Sequence, residues 1–318
     1  MPLTVLELFS YVALTIFSVV LLSRAVRWAS MPMHLRWELY PVAHEPNNYG
    51  GSYMEEADWW TKRRRITRIG MLKELLLEMV FIKKVFVHKR KLWYATYAFH
   101  AGIYLILVWF ALLFVSGVAI FYGRMSIPSA LPFSQLLYYS TLATGCIGMV
   151  ATTVGGIALI ILRVKDDGMR QYSVPADYFN LTFVVAASLL GVFSWVMYDP
   201  TLGMARLFMT SLISLGEFEG PHLNRVIEFQ IAVVGLLFMY IPFTKMTHFI
   251  GKYFTYHMVL WDDAPNIRGS KIEKKVKENL GHRISWSAPH LKAGRTWAEE
   301  ATQPSSLKTK KICDEHER

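Results

Sequence analysis

The chain has 318 residues, 53% of them hydrophobic, and a formal net charge of +10. That mixture suits a membrane protein with basic loops and speaks against a nucleic-acid binder. Two cysteines, Cys146 and Cys313, with no Cys-x-x-Cys-His, exclude covalent haem attachment and are too few to hold an iron–sulfur cluster.

Crossing a bilayer takes about 20 mostly apolar residues. In chain order, five stretches qualify: Leu3 to Ser23, Trp93 to Tyr122, Gln135 to Leu162, Tyr178 to Met197, and Val226 to Ile250. The first is the weakest because it carries Glu7. No basic residue precedes its apolar run, so it does not read as a cleaved secretory signal. The expected fold class is therefore all-α, an integral membrane five-helix bundle. Residues 1–29 would form the first transmembrane helix, 30–92 a cytoplasmic insertion, 93–250 a four-helix membrane bundle and 251–318 a cytoplasmic tail.

The first half of the insertion, rich in turn formers and aromatics, predicts irregular structure. Its second half places Leu72, Leu75, Leu76, Met79, Ile82 and Phe86 at helical spacing, predicting one amphipathic helix from Met71 to Val87. Such a helix fits a membrane surface and a partner subunit equally well. In the loop from Asp199 to Arg225, the apolar patch Leu207 to Leu215 predicts a short helix over the outer mouth of the bundle. The lysine-rich tail has too few apolar residues to build a core of its own. The paired acids Glu55-Glu56 and Asp262-Asp263 lack companion ligands and read as surface charge or partner contact.

Orientation follows from the basic residues. The segment from Arg24 to Lys91 carries 14, the loop from Arg163 to Arg170 three, and the stretch from Lys245 onward 14. The two other loops hold only Arg124, Arg206 and Arg225. This places the amino terminus outside and the carboxyl terminus in the cytoplasm.

Of ten histidines, only His100 and His248 fall inside the apolar stretches. A ligating side chain is costly in hydrocarbon, which makes both functional candidates. His100 lies two helical turns into the second span, roughly 10 Å from the cytoplasmic surface at about 1.5 Å per residue. His248 closes the fifth span at a similar depth from the same side. Two imidazoles at one depth on two helices are what a six-coordinate haem iron needs from a bundle. The competing reading is a pair of unrelated polar groups, each satisfied by a neighbouring helix. Gly102 and Gly235 would let a flat macrocycle approach the backbone. Lys245 is placed to meet a haem propionate or to snorkel to the headgroups.

The five-span layout resembles the respiratory nitrate reductase gamma subunit family, as do Phe99-His100-Ala101-Gly102 and Pro242-Phe243-Thr244-Lys245 with His248. The long insertion and the run from Lys252 to Asp263 look more like one branch of it. That branch comprises the cytochrome b subunits of heterodisulfide-reductase-related and dissimilatory-sulfite-reductase-associated membrane complexes. The resemblance implies a b-type cytochrome of a prokaryotic cytoplasmic membrane, exchanging electrons between menaquinone or ubiquinone and a cytoplasmic iron–sulfur subunit of the heterodisulfide-reductase type. Further membrane or periplasmic subunits, but no nucleic acid, would accompany it.

The chain departs from the family where two-haem members carry a second ligand pair. Phe110 stands ten residues after His100, and Gln230 eighteen before His248. Phenylalanine cannot ligate iron and glutamine is a poor haem ligand, so the expectation is one haem b, on the cytoplasmic side. Quinol oxidation also needs a proton acceptor near the bilayer edge and an apolar slot. Outer candidates are His222, Glu228 and Glu219, with Gln230 as a hydrogen-bonding partner for a quinone carbonyl. Inner candidates are His88 and His257. Glu228 and Gln230 also fit helix capping or contact with a neighbouring span. The rival function is a membrane anchor without redox activity. A transporter is disfavoured because no two spans show matching Gly/Pro interruptions.

Overall fold

The computed structural model describes residues 4–31, 68–123, 132–215, 221–255, 268–288 and 291–303. The first half of the insertion, Glu219, His257, the Asp262-Asp263 pair and Cys313 lie outside them. The described residues form helices, with no strand beyond the isolated bridges Arg283–Thr296 and Ala288–Leu291. In order these are α1 (Val5–Ser30), α2 (Arg68–Val80), α3 (Lys83–His88), α4 (Arg90–Phe121), α5 (Pro132–Lys165), α6 (Asp167–Gln171) and α7 (Pro175–Met197). There follow α8 (Gly203–Ser214), α9 (Arg225–Tyr240), α10 (His248–Thr255), α11 (Lys271–Leu280) and α12 (Trp297–Ala301). Five segments are long and apolar enough to cross a membrane: α1, α4, α5, α7, and α9 extended to Phe243. The all-helical, five-span architecture is the one expected from the apolar runs.

The chain divides into two compact units, residues 1–24 with 75–249, and residues 25–74 with 250–318. The first contains the bundle. Its outward face is apolar, with Leu107, Phe114, Ile147, Val154 and Phe193 exposed, while Ser116, Thr141, Thr152, Thr210 and Ser211 are fully enclosed. Lipid is as apolar as leucine, so burial of leucine does not drive helices together here. Close approach of small residues does. Gly145, Gly148, Thr152, Gly155 and Gly156 form such a seam on α5. Gly148 meets Ile106 of α4, and Gly155 lies against Phe99 of α4 so tightly that a methyl group would overlap its backbone. Enclosed hydroxyls bond back along their own helices, as Thr141 to the Leu137 carbonyl at 2.6 Å and Thr153 to Met149 at 2.8 Å.

The predicted outer helix is α8, which begins at Gly203, earlier than its apolar patch. Asp199 sets that start by accepting from the backbone N–H groups of Gly203 (2.8 Å) and Ala205 (3.2 Å). Arg206, with no exposed surface, donates to the carbonyls of Thr201 (2.6 Å) and Tyr138 (3.1 Å) and lies 4.6 Å over the Tyr138 ring. It thereby ties α8 to α5. Arg206→Leu removes the bonds to the Thr201 and Tyr138 carbonyls and the cation from the Tyr138 ring, and is expected to cost about 1.5–3 kcal/mol. A lowered unfolding midpoint in detergent checks this.

α1 is the least enclosed span, holding on at a few points. Phe9 sits against Gly235, Phe17 meets Phe238 edge-on at 5.2 Å, and the Tyr11 hydroxyl donates to the Leu212 carbonyl at 2.5 Å. Glu7 is enclosed because it caps its own helix, accepting from Thr4 N–H at 2.7 Å and from the Thr4 hydroxyl at 2.9 Å.

The single amphipathic helix expected from Met71 to Val87 is two, α2 and α3. Ile82 between them takes a left-handed conformation, φ 53°. Glu78 is turned inward, 5% exposed, and caps α3 by accepting from Lys84 N–H at 2.9 Å. Trp93 Nε1 donates to the carbonyl of Phe81 at 2.8 Å. Side-chain caps thus compensate the backbone groups that the break releases.

In the second unit, Trp28 and Phe254 meet with ring centres 6.3 Å apart. Among the described residues of the tail, backbone hydrogen bonds join separate segments. Ile284 exchanges bonds with Arg295 (2.7 Å) and Gly294 (2.8 Å) and is 2% exposed, while α11 and α12 start at Ser270 and Thr296 caps.

Candidate haem site

One face of α4 carries Trp93, Tyr97, His100 and Tyr104 at helical spacing. Trp93 stacks on Tyr97 at 4.7 Å, and Tyr97 on Phe81 at 6.3 Å. The Tyr104 hydroxyl donates to the Met79 carbonyl at 2.5 Å, and its ring centre lies 6.4 Å from that of His100. The α2–α3 pair therefore covers the face from which His100 projects.

His248 arrives differently from the expectation. The helix does not run unbroken to Ile250. α9 ends at Tyr240, a 3-10 turn spans Ile241–Phe243, and Thr244 is extended (φ −113°, ψ 177°). A second turn, Lys245–Thr247, leads into α10, whose first residue is His248. Pro242 supplies no N–H to continue the ladder, and the Thr244 hydroxyl caps the restart by accepting from Met246 N–H at 3.1 Å.

The break brings the two imidazoles together. Their ring centres are 6.1 Å apart and their planes 81° from parallel. His100 Nδ1 lies 2.8 Å from the Thr96 carbonyl and His248 Nδ1 3.3 Å from the Lys245 carbonyl. A carbonyl only accepts, so each Nδ1 carries the proton and each Nε2 is the basic nitrogen. Metal–nitrogen bonds of about 2.0 Å, with the nitrogen about 1.1 Å from its ring centre, would let two imidazoles that share one metal stand up to roughly 6.2 Å apart, a span compatible with the 6.1 Å between these ring centres. No group of three or more His, Cys, Asp or Glu side chains gathers among the described residues. Two ligands fall short of a closed zinc site, whereas a macrocycle that brings four nitrogens needs two from the protein.

The chain is similar to a cytochrome b-like subunit. The relative is the "Hdr-like menaquinol oxidoreductase cytochrome b-like subunit" of Archaeoglobus fulgidus, 24% identical over 261 residues that cover 77% of this chain and 76% of that protein. No protein-family model matches the chain.

The other candidate residues are dispersed. Gly102 is buried against α5, where Thr152 and the Gly148 carbonyl occupy the space a side chain would take, so it serves the helix crossing. Gly235 likewise faces Phe9. Lys245 reaches Asp177 at 3.4 Å, with its own side chain 73% exposed. Asp177 also accepts from Val174 N–H at 3.1 Å, capping α7. Toward the far end of the bundle, Phe110 contacts Trp109 (5.1 Å) and Phe238 (5.7 Å). Phe17, Phe110 and Phe238 thus join α1, α4 and α9 through aromatic contacts. Gln230 is half-buried beside Gly191 of α7, whereas Glu228, His222 and His88 are exposed. The structure does not gather His222, Glu228 and Gln230 around a common enclosed point; only Gln230 turns into the bundle.

Sequence reasoning missed Thr96, Tyr104, Asn180 and Arg24. Tyr240 donates to Asn180 Oδ1 at 2.8 Å, linking α9 to α7 just before the break. Thr96 was legible in principle, since a carbonyl four residues before a helical histidine is within reach of its ring. Arg24 counted only as one more basic residue at the end of a span.

Proposed function

We propose that this chain is a b-type cytochrome subunit of a respiratory membrane complex, with one haem b held between His100 and His248. The observation that carries the reading is the 6.1 Å separation of the two rings. The Thr96 and Lys245 carbonyls would hold each ring through its Nδ1–H, and Nε2 is the nitrogen that would meet the iron. A haem held there supplies a one-electron ferric/ferrous centre. On the same face of α4 as His100, Tyr97 packs against Phe81 and Tyr104 donates to the Met79 carbonyl, while His248 is exposed. Phe110 offers no ligand for a second haem, and its contacts with Trp109 and Phe238 support a single-haem chain.

The complex would link the quinone pool to a cytoplasmic iron–sulfur subunit of the heterodisulfide-reductase type, docked on the insertion and the tail. The name of the A. fulgidus relative favours menaquinone. The charge distribution favours placing the histidine pair on the cytoplasmic side of a prokaryotic inner membrane, with the amino terminus outside. Each quinol oxidised gives up two protons and two electrons. Glu228 and His222 are available to solvent as proton acceptors, and Gln230 as a hydrogen-bonding group. Lys245, paired with Asp177, stands near enough in sequence to His248 to meet a propionate.

The test is the reduced-minus-oxidised visible spectrum of the purified chain, with haem quantified per polypeptide, followed by addition of a menaquinol analogue. One haem b per chain that the quinol reduces is the expected result. Two haems would overturn the single-site reading, and none would leave a membrane anchor.

A further inference from the structure

Arg24, near the cytoplasmic end of α1 in the proposed orientation, reaches the break in front of His248. Its Nη1 donates to the Thr244 carbonyl at 3.1 Å and to the Thr247 hydroxyl at 2.8 Å. Thr247 is 2% exposed, and its own hydroxyl donates to the same Thr244 carbonyl at 2.9 Å. The Thr244 hydroxyl accepts from Met246 N–H. The whole turn from Thr244 to Thr247 is therefore closed on itself and fastened to a different helix through one guanidinium. The Lys245 carbonyl, which accepts from His248 Nδ1, is a backbone atom of that turn.

A 3-10 turn of three residues between two helices has little rigidity of its own. The bond from His248 Nδ1 is also the longer of the two imidazole anchors, 3.3 Å against 2.8 Å for His100. His100 sits within a continuous helix and needs no outside support. His248 stands at a helix start, where the ring plane follows whatever fixes the preceding turn.

We propose that Arg24 is a positioning residue for His248. Through Thr244 and Thr247 it sets the plane of the His248 ring, and so the near-perpendicular arrangement of the two imidazoles. This rests on the haem reading above. A role limited to pinning α1 or to snorkelling at the headgroups would leave the ring plane unchanged.

The ligand-field consequence is specific. Two axial imidazoles with nearly perpendicular planes split the ferric iron d orbitals weakly and give a strongly anisotropic low-spin signal in electron paramagnetic resonance. More nearly parallel planes give an ordinary rhombic signal at higher field. The full chain in detergent is therefore compared with Arg24→Gln and Thr247→Val, each with haem quantified. Thr247→Val keeps the arginine and the side-chain volume but removes the hydroxyl. The expected result is a strongly anisotropic parent signal whose low-field feature moves to higher field in both variants, at parent haem content.

Variants that hold parent amounts of haem and keep the parent signal overturn the role of Arg24 and leave the ligation intact. A parent chain without haem overturns the ligation, and the positioning role with it. Should Arg24→Gln fail to accumulate, Thr247→Val decides by the same criterion.

Discussion

His100→Ala is expected to eliminate the b-type spectrum, with haem per polypeptide falling from one to below a tenth. His248→Ala should do the same. In the proposed site the two rings, with centres 6.1 Å apart, would share one iron, so removing either would leave it a single protein ligand. A membrane helix pair held together by packing should survive the change. α4 is bound to α5 through its glycine-seam contacts, none of which involves the His100 ring. The chain should therefore accumulate and extract like the parent while lacking haem. Pyridine haemochrome quantification beside an immunoblot separates the two quantities. Haem retained at parent level in His100→Ala, with unchanged spectrum, would remove His100 as a ligand.

The second large effect is expected at Gly155. A methyl group there would lie 2.8 Å from Phe99 Cα and 2.9 Å from the Ala98 carbonyl carbon, and closer still to Phe99 N. These are backbone atoms of a continuous helix, so no side chain can swing aside. The α4–α5 crossing must open. Overpacking of this kind costs typically about 1–3 kcal/mol, and α4 is displaced next to His100. Gly155→Ala should therefore lower both the unfolding midpoint and haem content, unlike His100→Ala, which lowers haem alone. Gly168→Ala is the matched control, since its nearest neighbour is Asp166 Oδ1 at 3.3 Å, at the end of a movable side chain. Equal behaviour of the two alanine variants in a thermal melt would show that the seam tolerates the methyl group.

The A. fulgidus relative gives the haem reading a context without fixing its details. The aromatic contacts at Phe110 and Phe238 also bear on where quinone chemistry takes place. On the proposed single-haem reading, a quinol oxidised at the end of the bundle near Glu228 would have no second haem between it and the histidine pair. One oxidised close to His100 does not need one.

The five spans were legible in the sequence because the bilayer imposes a length and an apolar composition that few other structures share. The two histidines were legible because polar ligands are costly in hydrocarbon and so stand out against it. Both signals are local sums over neighbouring residues. The geometry between residues distant in the chain is not such a sum. The sequence gives no sign that Gly102 faces α5 rather than a macrocycle, because a glycine shows only that close approach is possible and not what approaches. Helical spacing of the apolar residues from Leu72 to Phe86 carries through Ile82 and so hides the turn there, where Glu78 folds inward to cap the next helix. Pro242 hinted at the break before His248, yet the extended Thr244 is completed by Arg24, 220 residues earlier. The ring separation was decided there, since two side chains find a common metal distance only when the helices that carry them are packed and braced.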